Sequence, residues 1–457
     1  MSRSRLCILL VIVVIHIGIL YRLDFFPYPE LFNYPYLVEK GLLPYKEIVD
    51  QHFPGLFFFP INFSDLGLVN IFGARLWQFG IVGITHVIVY LIASEYMDLQ
   101  GKRSYLANVL YLTVHPFLGG NILWIDNVIL LLILPCSLFL YKWDRSRKPI
   151  YLFYSGLLLG VALVMKQVVI VQFLLVFLLV FVRAKNKLVD LLFLLAGFLI
   201  PAVYMIFYIA RIGVFSDFYR WAIIFNIQTY SELARKFPSY VEIIKLLPIY
   251  VPATLVLLYR IFKREYDRTV WLIAFFVSSL IFVYSRFDLV HLQPSLPYAI
   301  LLIISASQLF KNDHFVKIVM AVFGVSVVIL LASLNRSSGR VRYFGHVESQ
   351  VVRRIKDYTS ENDSIYVISG IPHLYFLTNT LPPGRYHVAH LPWYMIHVED
   401  RVLASVIEDK PALVVRSREA YLDGRSVYDY LQNISEYIDN NYKLVERYNN
   451  IEILMRK

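Results

Sequence analysis

Sixteen consecutive residues without a charge, LCILLVIVVIHIGILY at positions 6–21, set the terms on which this chain can fold. Runs of the same kind, such as IYLFYSGLLLGVALVM and FVKIVMAVFGVSVVILLASL, recur as far as position 335, separated by short charged connectors. A bilayer core of about 30 Å takes roughly 20 such residues per helix. Inside it a helix is one of the two structures that pair every backbone N–H and C=O internally. Composition agrees: the chain is 58% hydrophobic and 17% charged, against about 45–50% and about 25% for a soluble domain. The sequence predicts a polytopic α-helical membrane protein.

The apolar runs place about eleven helices, near 6–22, 71–95, 104–118, 127–142, 150–165, 168–182, 188–212, 242–262, 270–285, 296–310 and 315–335. The third, fifth and sixth are short and are expected to tilt, break or re-enter. MSRSR precedes the first run and no small-residue cleavage site follows it, so the first helix is expected to remain as a signal anchor. Lysine and arginine fill the connectors GKRS, KWDRSRK, RAKNK and RIFKREYDR, all on the side of the N-terminus. By the positive-inside rule that side is cytoplasmic, and the C-terminus then lies outside. Residues 337–457 hold fifteen basic and fifteen acidic side chains, so the whole net charge of +11 belongs to residues 1–336. It is read as an orientation signal rather than as a nucleic-acid surface. Cys7 and Cys136 both fall inside apolar runs, where cysteine acts as a small hydrophobe.

The division expected is a membrane domain over 1–336, with an external loop at 23–70, and a soluble extracytoplasmic α/β domain over 337–457. In that tail VESQVVRRIKDYT has helical spacing, SIYVISG reads as a strand and RVLASVIEDKPALVVRS as helix, turn and strand. It carries no phosphate loop, metal-ligand spacing or catalytic triad, so it is expected to cover or guide a site rather than perform chemistry.

Ionisable groups at membrane depth are costly, and are functional candidates by default. They cluster toward the outer ends of the helices. The stretch FFPYPELFNYPYLVEKGLLPYKEIVDQHFPG, residues 25–55, holds Glu30, Glu39, Glu47, Asp50 and His52, with Asp24 just before it. Asp126 enters the fourth helix, Lys166 and Gln167 form the turn between the fifth and sixth, and Arg286, Asp288 and His291 lie between the ninth and tenth. The topology sends all of them to the external leaflet.

These same stretches resemble the GT-C-fold membrane glycosyltransferases of the protein O-mannosyltransferase and aminoarabinose-transferase type. PELFNYPYLVEKGLLPYKEIVDQHFPGLFFF resembles their first external loop, where an acid precedes a G-x-x-P-Y-x-D stretch. GLLLGVALVMKQ looks like their glycine-spaced helix ending in Lys-Gln, and SRFDLVHLQPSLP like a late external loop. NILWIDNVILL is more loosely similar to their second external loop. The likeness covers most of residues 1–310, and Glu30 and Glu47 stand where those relatives usually have aspartate.

The resemblance implies a GT-C-like fold and transfer of a sugar from a polyprenyl- or dolichyl-phosphate donor to a glycan, lipid or protein acceptor, with inversion and without a metal or other cofactor. Glu30 would be the catalytic base, with Asp24 as the alternative, and Lys166, Arg286 and His291 would bind the donor phosphate. Asp126, Gln167 and Asp288 would support them. Bland roles stand beside these: a solvated loop carboxylate for Glu30, a helix cap for Asp126, a snorkelling Lys166, a surface pair for Arg286 and Asp288. A transporter or flippase of lipid-linked sugars, or a glycan polymerase or ligase, is the other class. No internal repeat favours the first, and no large loop between spans favours the second.

Overall fold

The structure, a computed structural model, describes residues 3–97, 104–309, 312–368 and 371–457. Positions 101–103 of the GKRS connector, the first two of MSRSR, position 310 at the end of the expected tenth helix and the last two of SIYVISG lie outside the described residues. The chain divides into two compact units: Met1–Phe26, Ala74–Met205 and Lys236–Arg340 form one, and Pro27–Gly73, Ile206–Arg235 and Val341–Lys457 the other.

The first unit is helical. Among the described residues, six helices are long and apolar enough to cross a membrane: Arg3–Arg22, Ile71–Tyr96, Ile125–Ser146, Lys187–Arg211, Tyr240–Lys263 and His314–Arg336. Ile150–Met165, Val169–Arg183 and Leu296–Gln308 are apolar but shorter. The 16 residues of Ile150–Met165 span only about 24 Å. Small residues fix where this helix sits. Gly156 and Gly160 lie one turn apart, and a Cβ on them would come within 2.1 Å of the Leu194 carbonyl and 2.5 Å of the Phe198 carbonyl. From the facing helix, a Cβ on Gly197 would meet the Phe153 carbonyl at 2.1 Å. Only glycine allows two backbones so close, and such contacts hold helices together where lipid supplies no hydrophobic drive.

A polar chain pins three further segments. His16, His86 and His115 are all buried. The Asn108 amide nitrogen donates to the His86 carbonyl (2.8 Å) and to His86 Nδ1 (3.0 Å). That makes Nδ1 an acceptor, so His86 Nε2–H donates to His16 Nδ1 (2.9 Å), and His16 Nε2–H to His115 Nδ1 (3.0 Å). One amide therefore dictates the tautomer of three neutral imidazoles, and each bond meets the cost that a buried unpaired nitrogen would carry.

The second unit is built on a four-stranded sheet in the order Ile365–Ile368, Leu413–Ser417, Ile451–Arg456, Tyr442–Tyr448. The first pair is parallel and the other two antiparallel. Helices His346–Tyr358, Pro392–Asp409 and Gln432–Asn441 supply its apolar cover, through Val351, Ile355, Val402, Val406, Ile434 and Ile438. The segment 27–73 belongs to the same unit: Ile48–Val49 pairs in parallel with His387–Val388, and His387 N–H donates to the Glu47 carbonyl at 2.7 Å.

Candidate functional site

In the helical unit the turn at Lys166 is the first anchor. The helix Ile150–Met165 ends there because Lys166 takes an extended conformation, and Val169–Arg183 begins three residues later. The second anchor is Trp124, whose extended backbone caps Ile125–Ser146 and leaves Asp126 in the first turn. Its N–H donates to Asn127 Oδ1 at 3.2 Å, so the cap does not use the Asp126 carboxylate. That carboxylate instead takes Lys166 Nζ on Oδ1 (2.6 Å) and His291 Nδ1 on Oδ2 (3.1 Å). Lys166 Nζ lies 3.5 Å from His291 Nδ1 and 5.0 Å from the centre of the Phe282 ring. Asp126 is fully buried, with 10% of the Lys166 side chain and 13% of the His291 side chain exposed.

His291 is delivered by the single turn Leu289–Leu292, which follows an extended Asp288. Gly119 makes room for that turn: it sits at φ +86°, and a Cβ there would come within 3.0 Å of the Val290 nitrogen. Gln293 Nε2 donates to the Leu118 carbonyl and fastens the same crossing. One step away, Asp288 binds Lys236 Nζ at 2.7 Å and Arg286 Nε at 3.1 Å, and Phe287 N–H donates to the Lys236 carbonyl. Lys166, Arg286, His291 and Lys236 thus gather on two carboxylates, Asp126 and Asp288, with Gln167 half-buried beside Lys166.

Asp24 also belongs to this unit. Its Oδ1 accepts from the Ser337 and Ser338 hydroxyls and from the N–H groups of Ser338 and Arg340, at 2.9–3.1 Å. Burial works to raise its pKa, but these donors hold it below the ordinary carboxylate value.

Glu30 belongs to the second unit. Pro29 leads into the helix Glu30–Glu39 and leaves the Glu30 carboxyl in its first turn. Among the described residues, its Oε2 is buried with no hydrogen-bond partner. Burial pushes its pKa up to about 7, with repulsion from Asp50 adding to the rise and its own backbone N–H and His52 pulling against it. Asp50, itself buried, accepts from the Tyr34 hydroxyl (2.9 Å), the His52 N–H (2.7 Å) and His52 Nδ1 (2.8 Å). The loop is locked by Gln51, whose N–H donates to the Tyr394 hydroxyl and whose carbonyl accepts from Asn226 Nδ2. Glu47 does local work: its Oε2 accepts from the Leu43 N–H at 2.7 Å.

The expected residues therefore fall into two sets. Lys166, Asp126, His291, Arg286, Asp288, Gln167 and Asp24 are in the helical unit, and Glu30 is in the other. Lys236, Tyr34 and Asp50 carry no assigned role in the sequence reading, and His52, which the sequence suggests as a packing or capping residue, is linked to Tyr34 through Asp50. A signal existed for Lys236: it lies in a connector that the topology places outside, where the charge rule gives no reason for a cation. Among the described residues, no group of three or more His, Cys, Asp or Glu side chains is arranged to hold a metal ion.

Known structures share this architecture. ArnT from Cupriavidus metallidurans matches with a TM-score of 0.61 bound to undecaprenyl phosphate and 0.62 in the apo state, at 13% identity over 99% of this chain and 98% of that one. AglB, the archaeal oligosaccharyltransferase from Archaeoglobus fulgidus, solved with an inhibitory peptide and a dolichol-phosphate, gives 0.54 at 12% identity over 91% and 69%. Residues 51–209 match the family described as dolichyl-phosphate-mannose-protein mannosyltransferase. No curated protein matches the chain by sequence.

Proposed function

From a GT-C fold of the kind found in ArnT and AglB, we propose that the protein is an integral-membrane glycosyltransferase. It moves a sugar from a polyprenyl-phosphate carrier to an acceptor hydroxyl at the extracytoplasmic face, with inversion at the anomeric carbon. Residues 1–336, with the external loop 23–70, form the membrane part, and 337–457 the extracytoplasmic part. Support comes first from one observation: Lys166 and His291 share the Asp126 carboxylate, and Lys236 and Arg286 share that of Asp288, three residues before His291 in the chain.

In the reaction the bond between C1 and the phosphate oxygen breaks, and the phosphate leaves with the electron pair. Its growing charge is met by side chains already fixed in place, which is where electrostatic catalysis is most effective. Asp126 holds the Lys166 ammonium and the His291 ring, and Asp288 aligns Arg286, whose planar fork suits two phosphate oxygens. The acceptor oxygen forms the new bond to C1 and gives its proton to a carboxylate. Glu30 suits that role because a base works best with a pKa near the operating pH, and its own is about 7. The opposite shift at Asp24 makes that residue the poorer base. No metal is called for, since side chains supply the positive charge.

Purified protein in lipid, given a polyprenyl-phosphate sugar, tests this. Glu30→Gln should keep the fold and donor binding and lose transfer, while Lys166→Ala should weaken donor binding. Full transfer by the Glu30→Gln protein moves the base elsewhere, and unchanged donor affinity without Lys166 removes it from the phosphate site. Nuclear magnetic resonance of the product reads the anomeric configuration, and retention would overturn the inverting mechanism.

A further inference from the structure

In the second unit, three segments surround a cavity of about 630 Å³, within the range of about 300–1,000 Å³ typical of small-molecule sites. The helix Pro392–Asp409 gives one wall. Proline opens it after an extended Leu391, so Trp393, Ile396, His397 and Asp400 recur at the spacing of a single helical face. The π-helical turn Asn226–Tyr230 leads into the second wall, Leu233 and Arg235. The Tyr230 ring stands at 85° to that of Trp393, 5.6 Å away, and Thr229 Oγ1 lies 3.3 Å from His397 Nε2. The third wall is the hairpin that pairs Tyr421–Leu422 with Arg425–Ser426. Its two turn residues, Asp423 and Gly424, sit at φ +50° and +81°, as an Asp-Gly hairpin turn requires.

Two features of the lining select its occupant. Glu399 faces the cavity. The N–H groups of Asn433 and Ile434 hold its carboxyl, yet among the described residues its Oε1 is buried with no hydrogen-bond partner. A buried acceptor left in that state is costly, and a ligand hydroxyl would satisfy it. The second feature is mixed charge: Asp400 and Asp423 join Glu399 on the lining, and so do Arg235 and Arg425. Ile396, Leu422 and the Tyr430 ring supply apolar surface beside them. A phosphate or a basic peptide calls for one sign of charge. A hydroxyl both donates and accepts, so it uses carboxylates and guanidinium groups alike, and the C–H faces of a sugar ring rest on apolar and aromatic surface. We propose that this cavity is a glycan site, which takes uncharged pyranose units of an oligosaccharide, with Glu399 accepting from one hydroxyl and Arg425 donating to another. That the bound glycan is the acceptor rests on the transferase reading; the binding itself does not.

The purified full chain in nanodiscs, free of sugar-based detergent, tests this by saturation-transfer nuclear magnetic resonance. The probes are maltotriose, cellotriose, mannotriose and N-acetylchitotriose, with a sulfated trisaccharide as the charged comparison. No lipid-linked donor is added, so binding and transfer are read apart. At least one neutral trisaccharide should bind, several-fold more tightly than the sulfated one. Glu399→Gln should weaken that binding about tenfold. Arg425→Ala, a change at an exposed side chain, should weaken it several-fold, and the double variant should abolish it without lowering the melting temperature. Lys166→Ala should leave it intact. A protein that binds these sugars but transfers none overturns the enzymatic reading and leaves the glycan site standing. Absence of binding by every neutral probe, tighter binding of the sulfated one, or an affinity unmoved in the double variant would each overturn the site.

Discussion

At the residue scale the proposed reaction makes a distinct forecast for each of two side chains. Glu30 must be ionised to accept a proton, so transfer should rise with pH through a midpoint near its pKa of about 7. Because Asp50 helps to hold that value up, Asp50→Asn should move the rising limb to lower pH, which a pH–rate profile would show. The same shift weakens the fold on the way up: the folded state keeps a proton that the unfolded chain has already lost, so stability falls as pH rises from the ordinary carboxylate value toward 7. Asp126 behaves differently. Asp126→Asn leaves a buried ammonium without its counter-charge, a loss of about 3–5 kcal/mol for pairs of this kind. Asp126→Leu combined with Lys166→Leu should restore much of the melting temperature yet fail to restore donor binding, which separates the two roles of the pair. Most of these residues were legible in the sequence because a charge beside an apolar run is conspicuous. Asp50 and His52 were visible too, but their link to Tyr34 depends on a loop closed by Tyr394 and Asn226, far away along the chain.

At the scale of elements, the glycine crossing is the most exposed to test. Gly156→Val should force Leu194 and Phe198 away and cost about 1–3 kcal/mol, as overpacking does, seen as a lower melting temperature. Since the same helix ends at Lys166, transfer should fall with it. Gly324→Ala is the control, because nothing lies within 4 Å of where its Cβ would be, and helix propensity alone predicts no loss. Helices occupy the stretches that apolar runs marked, because hydrophobic length is a strong signal. What escaped was the segment 215–233, expected to be a connector and found as a short α-turn followed by π-helical turns. Five-residue hydrogen-bonding rings do not follow the 3.6-residue period that sequence patterns reveal. The pairing of Ile48–Val49 with His387–Val388 was equally invisible, since two-residue strands carry no pattern.

For the whole molecule, charge and length act together. The surplus of +11 lies within residues 1–336, with lysine and arginine concentrated in connectors such as KWDRSRK and RIFKREYDR, and the proposed donor site uses the cations held by Asp126 and Asp288. The two helices that meet at Lys166 add a further consequence. With 16 and 15 residues they fall short of a standard hydrocarbon core by about 6–8 Å, so the surrounding leaflet must pucker inward to reach them. Mismatch of this size carries an energy that grows with acyl chain length. If the proposed transfer holds, membrane thickness becomes a dial on it: reconstituted in lipids of increasing chain length, the protein should transfer sugar progressively more slowly while its affinity for soluble acceptor stays flat.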